Sequence, residues 1–584
     1  MNGQRMDNHQ GIRVVLFLAA IVFSIVSSGR AAEQYQYVRM WPQLSNPWYF
    51  NGPQATASDG SGNIYVANAD DVIKKFSVDG ELVDEWGSEG SGNGQFDFPQ
   101  GIGVDRRGFV YVADTWNNHI QKFTPDGEYV AKWGNSGYAV GEFDNPTDVA
   151  VDGNGLVYVV DQGNDRVQVF SRVPGGDLYF PHCDTTSFWE TEIAVINASP
   201  SSTLQGTLLA FDRGGDLLPE SLDISLTPHQ RLELSIGSEF ADPDSISYLI
   251  LESDSTMAEG YTKFYQPGLY RVAVPAVSEA AGGDMPVTHI ASDAFWWTGL
   301  ALVNTTASVK DLTIECNTGD SHTLSLAPFE HQSFSIDGFY GGVPQPGLQS
   351  AMIRDASGII GLELFGSPSE LEGIPLSDRT ATTLYYPHIA SDSTWWTGIV
   401  AYNPSDTDCG LLIMPYTATG TVLPGQTQLV PGRGKYVGTT DGLSFPAEAA
   451  WFIVTSTAPV SGFELFGTRN QSQMAGFSSI GEPSEHGVFA EVEPNGWTGI
   501  ALVNTEALSA SVTLTAYDDE GAIVGGMEFS LAGHDKAVDV AEDFFPSQDI
   551  SSATYISYSS NRELIGFQLN GSADGTMLDG LPGM

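Results

Sequence analysis

"FPQGIGVDRRGFVYVADTWNNHIQKFTPDGEYVAKWG", residues 98–134, is the stretch whose reading decides the fold. Short runs of Val, Ile, Tyr and Phe alternate with turn residues, the pattern of brief antiparallel strands. Two further copies flank it: "GPQATASDGSGNIYVANADDVIKKFSVDGELVDEWG" before, and "NPTDVAVDGNGLVYVVDQGNDRVQVF" after. Pro53, Pro99 and Pro146 stand in register, as do Asp59, Asp105 and Asp152, Tyr65, Tyr111 and Tyr158, and Phe76, Phe123 and Phe170. The unit recurs about every 46 residues. A repeat of that length with about four strands buries its faces only by stacking on its neighbours, as a propeller blade does. Residues 35–171 are therefore expected to form three blades, with "YQYVRMWPQL" (35–44) the last strand of a further one.

A longer repeat, with a period near 100, fills residues 177–584. Its copies open with "LYFPHCDTTSFWETEIAVIN", "MPVTHIASDAFWWTGLALVN", "LYYPHIASDSTWWTGIVAYN" and "GVFAEVEPNGWTGIALVN", ending at Asn197, Asn304, Asn403 and Asn504. A second anchor falls at Leu226, Leu326, Leu429 and Leu531, and a third at "GYTKFY", "GLELFG", "GFELFG" and "GFQLNG". Short alternating runs with turn residues between them predict a seven- or eight-stranded sandwich per copy. The expected fold class is all-β: a partial propeller followed by four tandem β-sandwiches, at 177–284, 285–382, 383–485 and 486–584.

The first repeat resembles the NHL repeat, on "GIGVD…GFVYVADTWNNHIQKFTPDGEYVAKWG" and its flanking copies, over about 135 residues. The resemblance implies a β-propeller whose ligand face is built from loops between blades. Such propellers usually have six blades, so three leave open whether an open fragment packs on its neighbour, two chains complete a ring, or degenerate blades follow. The later repeats resemble immunoglobulin-like modules by pattern only, since they lack a Cys…Trp…Cys signature.

Composition limits the partners. Net charge is −48, from 72 acidic residues against 24 basic ones. A surface so poor in Lys and Arg argues against nucleic acid and anionic lipid. Arg5 and Arg13 precede the apolar run "VVLFLAAIVFSIV" (14–26), and small residues follow, so residues 1–31 read as a secretory signal peptide. The mature chain is expected outside the cytoplasm, without a transmembrane segment. Only Cys183, Cys316 and Cys409 occur, too few for a disulfide framework or a thiolate zinc site.

The candidate ligand residues are Asp114, Trp116, Asn118, His119, Asp161, Asn164 and Arg166, from "DTWNNHI" (114–120) and "DQGNDRV" (161–167). Asp and Asn at these places also close tight turns; Trp116 matches Ala69 and Gly163, so no blade geometry demands it. Trp296, Trp297, Trp395 and Trp396 are candidates for a sugar-stacking platform. Against a catalytic site in "HIASD..WWTG", the fourth copy aligns Phe489 with His182, His289 and His388, and Glu493 with Asp293 and Asp392. What all four copies keep is a Thr (191, 298, 397, 498) and the closing Asn. Metal-dependent lyase chemistry needs several converging imidazoles, and the blades hold His119 alone. Acidic loops "EFADPDS" (239–245) and "YDDEG" (517–521) are weak calcium candidates without the spacing of a defined calcium loop.

The expected function is a secreted, non-enzymatic binding or adhesion protein recognising protein or glycan, with a homodimer as one way to complete the propeller. The alternatives are an exported hydrolase or lyase acting on the propeller loop face, and carbohydrate binding through the Trp pairs.

Overall fold

The computed structural model describes residues 50–583 apart from 61, 153–154, 172–175, 187–188, 267–269 and 472. The expected signal peptide and the strand at 35–44 lie outside the described residues. The fold is all-β; its one α-helical turn among the described residues is α1 (Ile236–Glu239).

Each blade opens on a proline, which a strand tolerates at its first residue because no ladder hydrogen bond is needed there. Blade 1 is β1 (Pro53–Ser58), β2 (Ile64–Asn68), β3 (Val72–Phe76) and β4 (Leu82–Trp86). Blade 2 is β5 (Pro99–Val104), β6 (Val110–Asp114), β7 (His119–Phe123) and β8 (Tyr129–Trp133). Blade 3 has three strands among the described residues: β9 (Pro146–Val151), β10 (Val157–Asp161) and β11 (Arg166–Phe170). All pair antiparallel with their chain neighbours, and the blades pack through their first strands, β1 on β5 and β5 on β9.

The repeated Asp and Tyr have one job. Asp105 accepts the backbone N–H of Phe109 at 3.0 Å and the Tyr111 hydroxyl at 3.2 Å, closing the turn between β5 and β6. Asp59 with Tyr65 and Asp152 with Tyr158 do the same in their blades. The Trp-Gly ending also has a cause. Gly134 sits at φ +97°, and a Cβ there would lie 2.4 Å from the buried Phe143 ring, so only glycine lets β8 turn toward blade 3.

The first long repeat contains β12 (Leu178–Phe180), β13 (Glu190–Asn197), β14 (Leu204–Phe211), β15 (Leu217–Leu226), β16 (Arg231–Ser235), β17 (Tyr248–Ser253), β18 (Ala258–Gln266) and β19 (Tyr270–Pro275). They form two four-stranded sheets, β12-β17-β14-β15 and β16-β13-β18-β19. Leu208, Ala210 and Leu249 of one sheet meet Ile193, Val195 and Leu234 of the other in a shared core, which makes the unit a sandwich.

The second repeat keeps this topology with β20 (Met285–Val287), β21 (Trp297–Asn304), β22 (Lys310–Cys316), β23 (Ser321–Leu326), β24 (His331–Ser335), β25 (Ala351–Arg354), β26 (Ile359–Gly366) and β27 (Leu371–Leu376). The third is β28 (Ala381–Tyr386), β29 (Trp395–Tyr402), β30 (Cys409–Thr417), β31 (Gln426–Val430), β32 (Lys435–Thr439), β33 (Ala449–Thr468) and β34 (Met474–Ser478). The fourth is β35 (Ser484–Phe489), β36 (Gly496–Asn504), β37 (Ala510–Tyr517), β38 (Ile523–Leu531), β39 (Lys536–Val540), β40 (Tyr555–Ser572) and β41 (Leu578–Pro582). In these two the sixth and seventh strands fuse into one, β33 of 20 residues and β40 of 18, which runs through both sheets.

The sandwiches close on themselves as a ring of four. Their last strands meet in a cycle: β19 packs on β27, β27 on β34, β34 on β41, and β41 on β19. Phe264, Val272 and Val274 pack on Leu362 and Leu371 of the second sandwich, and Phe466 and Phe477 on Phe567 and Leu569 of the fourth. Ala194, Tyr261 and Ala273 meet Val488, Tyr555 and Leu581, joining the first sandwich to the fourth.

Sheet register corrects two sequence alignments. The pairs Phe180↔Leu249, Tyr386↔Phe452 and Phe489↔Ile556 are equivalent, so Glu491, not Phe489, takes the histidine place. The loop after it is two residues shorter in the fourth copy, and there Glu493 accepts the backbone N–H two residues on, as Asp293 and Asp392 do. In the third copy the buried anchor is Val430 rather than Leu429, which is 69% exposed.

Candidate functional site

The loop residues singled out from sequence are mostly held inside the blades. Asp114 is fully buried and accepts from the backbone of Asp97 (2.8 Å), Asn117 Nδ2 (3.0 Å) and Gln121 Nε2 (3.1 Å), with His119 Nε2 at 2.8 Å. Asp161 repeats this with Asp144 N, Asn164, Gln168 and Arg166 Nε at 2.7 Å. Hydrogen bonds from Asn164, Arg166 and the Asp144 backbone hold its carboxyl below the usual range against the opposing cost of burial. Asn118, at φ +55°, accepts the backbone N–H of Asn145 and so ties blade 2 to blade 3. Trp116 is 59% exposed and stacks on Phe98, ring centroids 4.8 Å apart.

The tryptophan pairs sit near the junctions between sandwiches. Trp297 is 39% exposed and lies over Gly299 and Gly366, while Trp396 lies over Gly398 and Gly467. Trp296 and Trp396 pack on the cluster joining the second and third sandwiches, and Trp395 on the one joining the third and fourth. Of the acidic loops, Asp518 closes its own turn to Ala522 and Asp519 pairs with Arg231. Among the described residues no group of three or more His, Cys, Asp or Glu is placed to hold a metal ion. The three cysteines are free and buried.

A wide concavity lies elsewhere, between the blades and the ring. It encloses about 1210 Å³. One wall is Tyr111, Lys122, Tyr129 and Trp133 of blade 2 with Phe170 of blade 3. The other is the outward face of the first sandwich, from Gln205–Thr207, Asp223–Ser225 and Ile250 to Glu252, with Thr305 and Thr306 of the second sandwich at the rim. Trp133 stands edge-on to Tyr111 at 6.3 Å and tilted to Phe170 at 5.9 Å.

Three of its charges are paired with each other, while the carboxylates of Asp177, Asp223 and Asp254 accept from the Ser253 N–H, the Thr207 hydroxyl and the Gln205 N–H. The Arg107 guanidinium bonds to Glu252, and Lys122 Nζ lies 3.7 Å from the same carboxylate. The Lys122 ammonium also sits 3.7 Å from the Phe109 ring centroid, a cation–π contact. Burial and the neighbouring Asp105 carboxylate push the Tyr111 hydroxyl well above the ordinary phenol range. Arg106 donates to the Ala307 carbonyl, so the blades are latched to two sandwiches. The cleft is thus lined by aromatic edges, by amide and hydroxyl groups and by several carboxylates. Sequence reasoning did not single out these wall residues; the repeated Trp86 and Trp133 at blade ends were the available signal.

Two segments match the NHL repeat, residues 96–123 and 143–170. The chain carries NHL repeats across residues 96–170. No curated protein matches the chain. Among solved structures, virginiamycin B lyase from Staphylococcus aureus is similar at 16% identity and a TM-score of 0.15, the match covering 20% of this chain and 41% of the lyase. A streptogramin B lyase is similar at 13% identity and a TM-score of 0.14, over 21% of this chain and 55% of that one. A β-propeller domain from Myceliophteria thermophila is similar at 8% identity and a TM-score of 0.14, over 37% and 83%. The chain thus spans less than half the length of the first of these lyases, and likeness at this level carries no argument about activity.

Proposed function

We propose that the protein is an exported, non-enzymatic binding protein that takes its ligand, a glycan or an extended peptide, into the cleft between the blades and the first sandwich. The observation that carries this reading is the cleft itself: about 1210 Å³, walled by both halves of the chain, aromatic on one side and lined on the other by amide and hydroxyl groups with the carboxylates of Asp177, Asp223, Glu252 and Asp254 among them. A catalytic site would present an acid, base or nucleophile aimed into open space. Here Arg107 and Lys122 both face Glu252, the Tyr111 hydroxyl donates to Asp105, and Asp177, Asp223 and Asp254 each accept a hydrogen bond from the sandwich itself.

The test is a glycan and peptide array probed with the mature chain and with Thr207→Trp. Thr207 lines the cleft from β14, an inner strand of its sheet, and is half-buried on the face away from the sandwich core, so the larger side chain fills the space without entering that core. A ligand bound by the wild type and lost in the variant supports the reading. Binding that is indifferent to the variant, or turnover of the bound ligand, sinks it.

A further inference from the structure

The four junctions of the ring repeat one arrangement, and one of the four is open. At each junction a side chain at the end of the first strand of one sandwich meets the first residue of the fifth strand of the next. The pairs are His182 with His331 (3.2 Å), His289 with Lys435 (3.0 Å), His388 with Lys536 (2.6 Å) and, last, Glu491 facing Arg231. Three junctions are capped by a stacked aromatic pair: Phe211 on Tyr248, Tyr416 on Trp451 and Tyr517 on Tyr555. At the second junction the equivalent register holds Asn317 and Ser350, and no aromatic pair forms there. A cleft of about 500 Å³ remains, lined by His289, Asp293, Gln349, Lys435, Tyr436 and Val437.

We propose that this cleft is a second site, separate from the one between blades and ring, in which Lys435 condenses reversibly with a small aldehyde. Lys435 Nζ donates to the Gln349 carbonyl and meets His289 Nδ1, while the fully buried Glu363 faces it electrostatically from the same sandwich as His289. Asp293 spends its carboxylate on the backbone N–H groups of Phe295 and Trp296, so it does not neutralise the lysine. In the reaction the Nζ lone pair adds to the carbonyl carbon, and His289 Nδ1 takes the displaced proton. The alkoxide takes that proton to give the carbinolamine, the remaining N–H proton passes by the same imidazole to the departing hydroxyl, water leaves, and a neutral C=N bond remains; no oxidant or reductant is consumed. Burial pulls the Lys435 ammonium down to about 8, against the opposing pull of Glu363, so more neutral amine is present near neutral pH than on an ordinary lysine. The same pair occurs at His388 and Lys536, but there the aromatic cap seals it and Lys536 is buried.

The experiment treats the full-length protein with glyceraldehyde and cyanoborohydride near neutral pH and maps reduced adducts by peptide mass spectrometry. Lys435 should be labelled about tenfold faster than the surface lysines Lys132 and Lys310, because its neutral fraction is larger by more than that factor. Val437→Trp, a change at a half-exposed position on the rim, should slow labelling of Lys435 and leave Lys132 and Lys310 unchanged. Labelling of Lys435 at the rate of the surface lysines overturns the proposal. So does labelling that Val437→Trp leaves untouched in a folded protein, or labelling of sealed Lys536 to the same extent.

Discussion

The residues that all four sandwiches keep are those whose side chains replace missing backbone partners. Asn403 is buried; its Nδ2 donates to the carbonyls of Thr407, Val430 and Pro431, and its Oδ1 accepts the Ser405 N–H. Asn197, Asn304 and Asn504 make the same set. Thr397 accepts the Ala390 N–H and donates to the Ala390 carbonyl, clamping the loop before its strand. Asn403→Ala strands several buried carbonyls and should cost about 3 kcal/mol, read as a shift in denaturant midpoint at unchanged slope. This much was legible in sequence, because an invariant Asn after an apolar run reports a turn that needs it. The histidines of the junctions were less legible, since their partners lie in the next sandwich, about 150 residues on for three of them. Burial pulls His331 down to about 3, helped by His182 and Arg213. An unfolded chain takes up this proton near 6.5 and the native one does not, so stability falls as pH drops through that window. Glu363 opposes it: burial raises its carboxyl to about 8, so the native state gains from its proton as pH falls toward 4.5. The two cancel in part above about 4.5; below it Glu363 no longer offsets the histidine loss, which adds to that of carboxylates held low such as Asp161 and Glu233. Urea midpoints measured across pH should therefore fall most steeply between about 4.5 and 3, and His331→Gln should flatten that limb by about 2 kcal/mol.

At the scale of strands, the sequence marks element type better than register. The alternating runs of Val, Ile, Thr and aromatic residues foretell the strands, yet a β-strand slipped by one residue turns every side chain to the other face. That is why the leucine pattern points to Leu429 where Val430 is the anchor: the proline of "QLVP" lies one place earlier relative to the turn than in "SLTP". Register in these strands is set instead by tryptophan over glycine across the sheet. Trp297, Trp396 and Trp497 pair with Gly366, Gly467 and Gly571. A Cβ on Gly467 would lie 2.4 Å from the Trp396 ring, and one on Gly571 the same distance from Trp497. Gly467→Ala should therefore destabilise the third sandwich by about 2 kcal/mol, the usual cost of overpacking. Trp396→Ala in the same chain should recover part of that loss, giving a non-additive double-mutant cycle. Thermal unfolding of the two single variants and the double decides it; strict additivity would show that the ring does not hold the glycine in place.

At the scale of the molecule, three of the four junctions join sandwiches consecutive in the chain, and the fourth joins first to last. No linker holds that seam, and its chemistry differs accordingly. Arg231, Lys263 and Arg271 of the first sandwich face Asp519, Glu491, Glu493 and Asp579 of the fourth, with Lys263 Nζ 2.6 Å from Glu491 and Arg231 3.0 Å from Asp519. Arg271 bonds both Glu493 and Asp579, and all three cations are buried. Sequence could not announce this seam, because a ring closure between residues 228 positions apart, as Lys263 and Glu491 are, leaves no local pattern. Buried ion pairs rarely add much over apolar packing, but removing one partner is costly because the other charge stays buried alone. Lys263→Met should therefore destabilise the protein by about 3–5 kcal/mol. The loss should be felt first at the seam, so calorimetry is expected to split unfolding into an early ring-opening transition and a later one for the individual sandwiches. Glu491→Leu added to Lys263→Met removes the carboxylate that lost its nearest cation and should restore part of the stability, because Arg231 and Arg271, which also face Glu491, keep their other carboxylates. If the single variant unfolds in one unshifted transition, the first and fourth sandwiches are held by Tyr261, Val488 and Tyr555 alone and the charged seam is dispensable.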